Sequence, residues 1–117
     1  MLDFKHILAW QRAHALSIEL HKTTSSFTRL GHATLRSQLK RSAESIAANI
    51  VEGCGAATKP EFARFLYIAI KSSTETEYHL IAARDHDLLA PDQWSRFNAE
   101  TVQIRKMLFA YRRKLLA

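Results

Sequence analysis

Apolar residues recur along most of this chain every three or four positions, and the interruptions divide it into four stretches. In the last stretch Trp94, Phe97, Thr101, Ile104, Leu108, Tyr111 and Leu115 follow spacings of 3, 4, 3, 4, 3 and 4. That alternation places all seven on one stripe of a helix, as in a bundle seam. Leu35, Leu39, Ala43, Ile46 and Ile50 form a second stripe, and Trp10, Ala13, Leu16 and Leu20 a third. The spacing predicts helices over about residues 5–23, 33–52, 59–88 and 91–115. Gly53 stands where a left-handed C-cap would close the second helix. Thr58-Lys59-Pro60-Glu61 reads as a capping box opening the third, with Pro60 tolerated among first-turn N–H groups that have no helical partner. Short connections between four helices predict an all-α, antiparallel up-down four-helix bundle occupying residues 1–117 as one domain.

The third stretch breaks the one-stripe rule. Phe65-Leu66-Tyr67-Ile68-Ala69-Ile70 is apolar for six residues, and at 100° per residue it covers a helix all round. One bundle face cannot bury that much. Phe65, Tyr67, Ile68 and Ile70 are therefore expected to meet another copy of the chain in a homo-oligomer.

Composition changes the picture only through charge. The 117 residues hold 17 Lys+Arg against 11 Asp+Glu, a net +6. Residues 91–117 carry six basic and two acidic groups, so +4 of the excess lies on the last helix. Arg105 and Arg112 are seven apart, as are Lys106 and Arg113, and both pairs lie off the seam, facing outward or towards a neighbouring copy. Arg36 and Lys40 add a stripe on the second helix. Cations spaced along a helix face suit phosphate contacts, so these six residues are the candidate nucleic-acid-binding set. The competing reading is a protein-interaction scaffold whose charge serves solubility.

Catalytic chemistry finds little footing. Six histidines invite a metal search, but His-Glu-x-x-His, paired cysteines and Glu-x-x-His are all absent. Glu75 and His79 share a face without further ligands. Cys54 follows a helix C-terminus, where the dipole disfavours a thiolate. Glu75 and Glu77 point about 200° apart on a helix and form no acid/base pair. Glu77 lies near the core stripe and needs a cation, for which Arg41 or Arg36 are the candidates. No enzyme, cofactor or metal is expected. The lone Cys54 fits a reducing cytoplasm, and neither a secretory signal nor a membrane span is evident.

The second and third helices together carry a resemblance. The run from Ser37 to Gly53 contains Gln38, Leu39, Arg41, Ser42, Ser45, Ile46, Asn49, Ile50, Val51, Glu52 and Gly53 in the pattern Q-L-x-R-(A/S)-x-x-S-I-x-x-N-I-(A/V)-E-G. Glu61-Phe62-Ala63-Arg64-Phe65 and Ser72-Ser73-Thr74-Glu75-Thr76-Glu77 follow, and Leu8-Ala9-Trp10-Gln11-x-Ala13 lies in the first helix. This resembles the bacterial four-helix-bundle family encoded in rRNA intervening sequences, related to the accessory proteins of diversity-generating retroelements. The resemblance covers residues 4–90 and departs at Lys71, where the family often has Gly. It implies a left-handed bundle assembling into a homopentameric ring, with no catalytic residues. Its retroelement relatives bind nucleic acid and dock on a reverse transcriptase. A ring would multiply the +6 of one chain fivefold.

Overall fold

The computed structural model describes residues 2–117. Helices α1 (Leu8–Thr23), α2 (Ala33–Cys54), α3 (Lys59–Asp85) and α4 (Pro91–Leu116) account for nearly all of it, with short 3-10 turns at Phe4–His6 and Thr24–Ser26. They pack side by side in a rod of 45 × 20 × 20 Å. Each helix meets its two neighbours in the order α1, α2, α3, α4, α1; the α2–α3 seam is the most extensive and α1–α4 the thinnest.

Side-chain pairs show the antiparallel directions. Ser45 meets Ser72 and Ser42 meets Thr76 between α2 and α3. Arg105 meets Glu77 and Arg112 meets Ala63 between α3 and α4. Arg12 meets Glu100 and Glu19 meets Arg96 between α1 and α4. In each seam, rising numbers on one helix meet falling numbers on the next.

The expected stripes are the core. Leu16, Leu20, Leu39, Ile46, Ile50, Leu66, Leu80, Phe97, Ile104 and Leu108 are essentially inaccessible to solvent. Phe27, in the α1–α2 connection, is fully buried and plugs one end.

Four boundary readings change. The first helix starts at Leu8, after a separate 3-10 turn at Phe4–His6, rather than at about 5. Gly53 lies inside α2, and the cap is Gly55, whose φ of −88° is not left-handed. A Cβ on Gly53 would sit 2.7 Å from Cδ1 of Phe62, so it is the close approach of α3 that demands glycine there. α3 ends at Asp85 rather than 88, because Asp87 takes a positive φ of 58°. Leu88 N–H then bonds the Ala83 carbonyl at 2.9 Å, a six-residue closure of the Schellman type. The box at the start of α3 is displaced by one residue. Thr58 Oγ1 accepts from Glu61 N–H at 3.2 Å, while the Glu61 carboxylate accepts from Ala57 N–H.

The α2–α3 seam is polar at its centre. Ser45 and Ser72 hydroxyls are 2.8 Å apart, Thr76 donates to Ser42 at 3.0 Å, and Asn49 Nδ2 donates to the Ser45 carbonyl at 2.8 Å. Ser73 donates to the Ile70 carbonyl at 2.6 Å. Each hydroxyl has a partner, so burial does not leave it orphaned.

α1 and α4 are tied by Arg12, whose Nε donates to Glu100 Oε2 at 2.9 Å. The hydrogen bond from Arg12 holds the Glu100 carboxyl below its ordinary value of 4.5, although partial burial pushes the other way. A carboxyl depressed in the folded state stabilises above its unfolded pKa, and that gain is lost as pH falls through the folded value. Glu100→Gln is therefore expected to cost about 0.5–1 kcal/mol at pH 7, discounted for solvent exposure. The gap to wild type should close as pH drops below about 4.5, in thermal melts followed by circular dichroism. A gap that does not narrow at all as the pH falls would assign the cost to packing instead.

Candidate nucleic-acid interface

The two cation stripes of α4 separate in the structure. Arg105 turns towards α3: Nη2 donates to Glu77 Oε1 at 2.7 Å, with both side chains largely shielded. Glu77 thus finds its partner on α4, not in Arg41 or Arg36 on α2. Arg112 also lies across α3, donating from Nε to the Ala63 carbonyl at 3.2 Å with its guanidinium 5.3 Å from the Tyr67 ring centroid. The outward placement expected for Arg105 and Arg112 therefore gives way to a structural one. Lys106 and Arg113, one position further round the helix, are exposed.

Arg36 and Lys40 do not join them. They face α1: Arg36 Nη2 lies 3.4 Å from the His21 carbonyl, and Lys40 borders a shallow cleft with His14, Ile18 and His21. In a ring of four helices this face is opposite the α3–α4 face.

Two cations that charge arithmetic passed over complete the patch. Arg64, Tyr67, Lys71, Thr74 and Tyr78 follow spacings of 3, 4, 3 and 4 on α3, and all five are exposed. The signal was present in the sequence, hidden because residues 54–90 are slightly acidic as a whole. The register set by Arg105–Glu77 and Arg112–Ala63 brings Arg64 level with Arg113, and Lys71 level with Lys106, within a helical turn. Among the described residues, none of these four forms an ion pair. Of the carboxylates beside the strip, Glu77 is taken by Arg105, while Glu75 is exposed one turn from Lys71 in the groove towards α2.

The apolar run on α3 has a different explanation from the one its sequence suggests. α3 has helices on both flanks, so Leu66, Ala69 and Ile70 are buried within one chain, Ile70 to 4% exposure. Phe65 and Ile68 are half-buried, and Arg64 covers the Phe65 ring with its guanidinium carbon 4.6 Å from the centroid. Of the four residues assigned to an oligomer contact, only Tyr67 is exposed, at 47%.

The residues of the sequence motif gather on the α2–α3 seam. Gln38, Arg41 and Ser45 line an open groove of about 790 Å³ with Lys71, Glu75 and His79. Asn49 and Ser45 belong to its hydrogen-bonded floor, Gly53 marks the close approach at its end, and Glu52 is exposed beside it. Burial lowers the His79 pKa from its usual 6.5 against the pull of Glu75, so His79 adds no charge to the groove at pH 7. Burial likewise pushes the Cys54 thiol up, away from a thiolate. Among the described residues no group of three or more His, Cys, Asp or Glu is placed to hold a metal ion. No helix is long and apolar enough to cross a membrane.

The family model of the 23S rRNA-intervening sequence protein matches residues 5–110. The chain belongs to that family. The match takes in α4 as far as Ala110, so Arg105 and Lys106 lie inside the family region and Arg112 and Arg113 beyond it. Among solved structures, a protein of unknown function from the S23 ribosomal protein family of Bacteroides thetaiotaomicron superposes with a TM-score of 0.84. It is 23% identical over 91% of this chain and 96% of its own, a likeness of fold. Among curated proteins, none matches the chain.

Proposed function

We propose that this member of the 23S rRNA-intervening sequence protein family is a non-enzymatic bundle that binds RNA or DNA through its α3–α4 face. The observation that carries the reading is the set of four unpaired, exposed cations, Arg64, Lys71, Lys106 and Arg113, aligned on two adjacent helices. Phosphate contacts of this kind read no sequence and release counterions, so affinity falls steeply with salt. Arg105 and Arg112 support the face from beneath rather than bind first. The reading includes self-assembly into a ring, which repeats a weak site and adds avidity. It also includes a role as an accessory to a reverse transcriptase or in association with rRNA, as the resemblance implies.

Replacing Arg64, Lys71, Lys106 and Arg113 together by Gln tests it. Binding to every oligonucleotide sequence should weaken alike, and the slope of log affinity against log salt should flatten by about three to four units. A variant that binds like wild type would remove the site. Wild type binding no nucleic acid at physiological salt would favour the scaffold reading instead.

A further inference from the structure

Cations alone do not tell a duplex from a single strand, because both present phosphates. The α3–α4 strip also holds exposed rings, Tyr67 at 47% and Phe109 at 43%. They alternate with the cations. Along α3 the order is Arg64, Tyr67, Lys71, Thr74, spanning about 15 Å at 1.5 Å per residue. Along α4, running the other way, it is Lys106, Phe109, Arg113. Tyr67 is braced: the Arg112 guanidinium stacks over it at 5.3 Å, anchored by its bond to the Ala63 carbonyl, while the residue stays half open to solvent.

Resting on the backbone-binding reading above, we infer that this strip takes single-stranded nucleic acid, with bases stacked on Tyr67 and Phe109 between phosphate-binding cations. A duplex keeps its base faces inside its own stack and has nothing to lay on the rings; an unpaired strand offers both π-faces and phosphates. Arg112, Tyr67 and a base then form a three-layer stack, with the guanidinium adding cation–π attraction. A two-fold contact between copies suits this surface poorly, because it would set the cations of one copy against those of the other.

The test uses the full chain with a labelled 20-nucleotide single strand and the blunt duplex of the same length, at one salt concentration. Wild type should bind the single strand at least about tenfold more tightly than the duplex. Tyr67→Ala/Phe109→Ala should lower single-strand affinity about tenfold or more and leave duplex affinity nearly unchanged. Tyr67→Leu/Phe109→Leu, which keeps apolar bulk and protects the fold, should show the same loss, since leucine has no π-face. A 2-aminopurine in the strand should be quenched by wild type and not by either variant. Equal wild-type affinity for the two forms, or a leucine variant that keeps the preference, overturns the stacking inference. If the four-cation variant still loses both forms, backbone binding survives that result. Wild type binding neither form overturns both. A leucine variant that changes the mass of the protein in light scattering also overturns the inference, by assigning the rings to a contact between copies.

Discussion

Phe97→Ala is expected to lower the unfolding free energy by about 3–5 kcal/mol, the usual cost of emptying a phenylalanine site. Phe97 is 1% exposed and lies on the α4 seam among the fully buried residues. Its ring is also covered from outside. The Arg96 guanidinium carbon lies 4.6 Å from the ring centroid and is itself held by Glu19 of α1 at 2.7 Å. Removing the ring therefore empties the core and removes what Arg96 rests on. A domain of this size has about 5–15 kcal/mol in total, so the variant should lose about a fifth or more of its stability in urea unfolding. Phe97→Leu should recover most of the loss, because it restores volume without the ring. A cost below about 1.5 kcal/mol for the alanine variant would mean that the α1–α4 seam, the thinnest of the four, collapses to fill the gap.

The second large effect is at Gly53, and there two physical arguments predict opposite signs. Glycine in a helix interior ordinarily yields about 1 kcal/mol when replaced by alanine. Here the added Cβ would meet Phe62 Cδ1 at 2.7 Å, Cε1 at 2.9 Å and Phe65 Cβ at 3.3 Å. Phe62 is 7% exposed and its ring centroid is 5.5 Å from that of Tyr111, so it cannot swing away freely. Overpacking should win. Gly53→Ala is expected to cost about 1–2 kcal/mol net, and Gly53→Val about 3 or more, since it adds methyl groups to an already overfilled space. The cause is separable by a double-mutant cycle. In a Phe62→Leu background Gly53→Ala should become neutral or stabilising, a coupling of at least 1 kcal/mol. Additive effects would show that Phe62 is not the obstacle.

Gly53 also marks the boundary of what could be read beforehand. Helix positions, the core stripes and the connection order were legible because a period of three and four records which face is buried. That period says nothing about which helix lies opposite, so a glycine needed for a close approach looked like one needed for a left-handed cap. The partner of Glu77 is hidden for the same reason. The pattern points to Arg41 or Arg36 on α2, whereas Arg105 reaches from α4 on the other flank. Of the apolar run at residues 65–70, Leu66, Ala69 and Ile70 are buried within the chain and Tyr67 is exposed, a division that the run's lack of polar positions does not mark. In the strip, Arg64 and Lys71 shared a heptad-like spacing with Tyr67 and Tyr78 from the start. Regional charge totals averaged that signal away.

The hydroxyl-rich seam between α2 and α3 bears on how the bundle finds one arrangement. Leucine and isoleucine stripes tolerate sliding by a turn, since oily contacts are nondirectional. Ser42 with Thr76, and Ser45 with Ser72, do not tolerate it. A one-turn shift of about 5.4 Å would break both pairs and re-form at most one contact between hydroxyls across the seam. The seam thus acts as a key that favours this alignment of α2 with α3. The level pairing of Arg64 with Arg113 and Lys71 with Lys106 inherits that alignment at one remove, since α3 carries both the key and half of the strip.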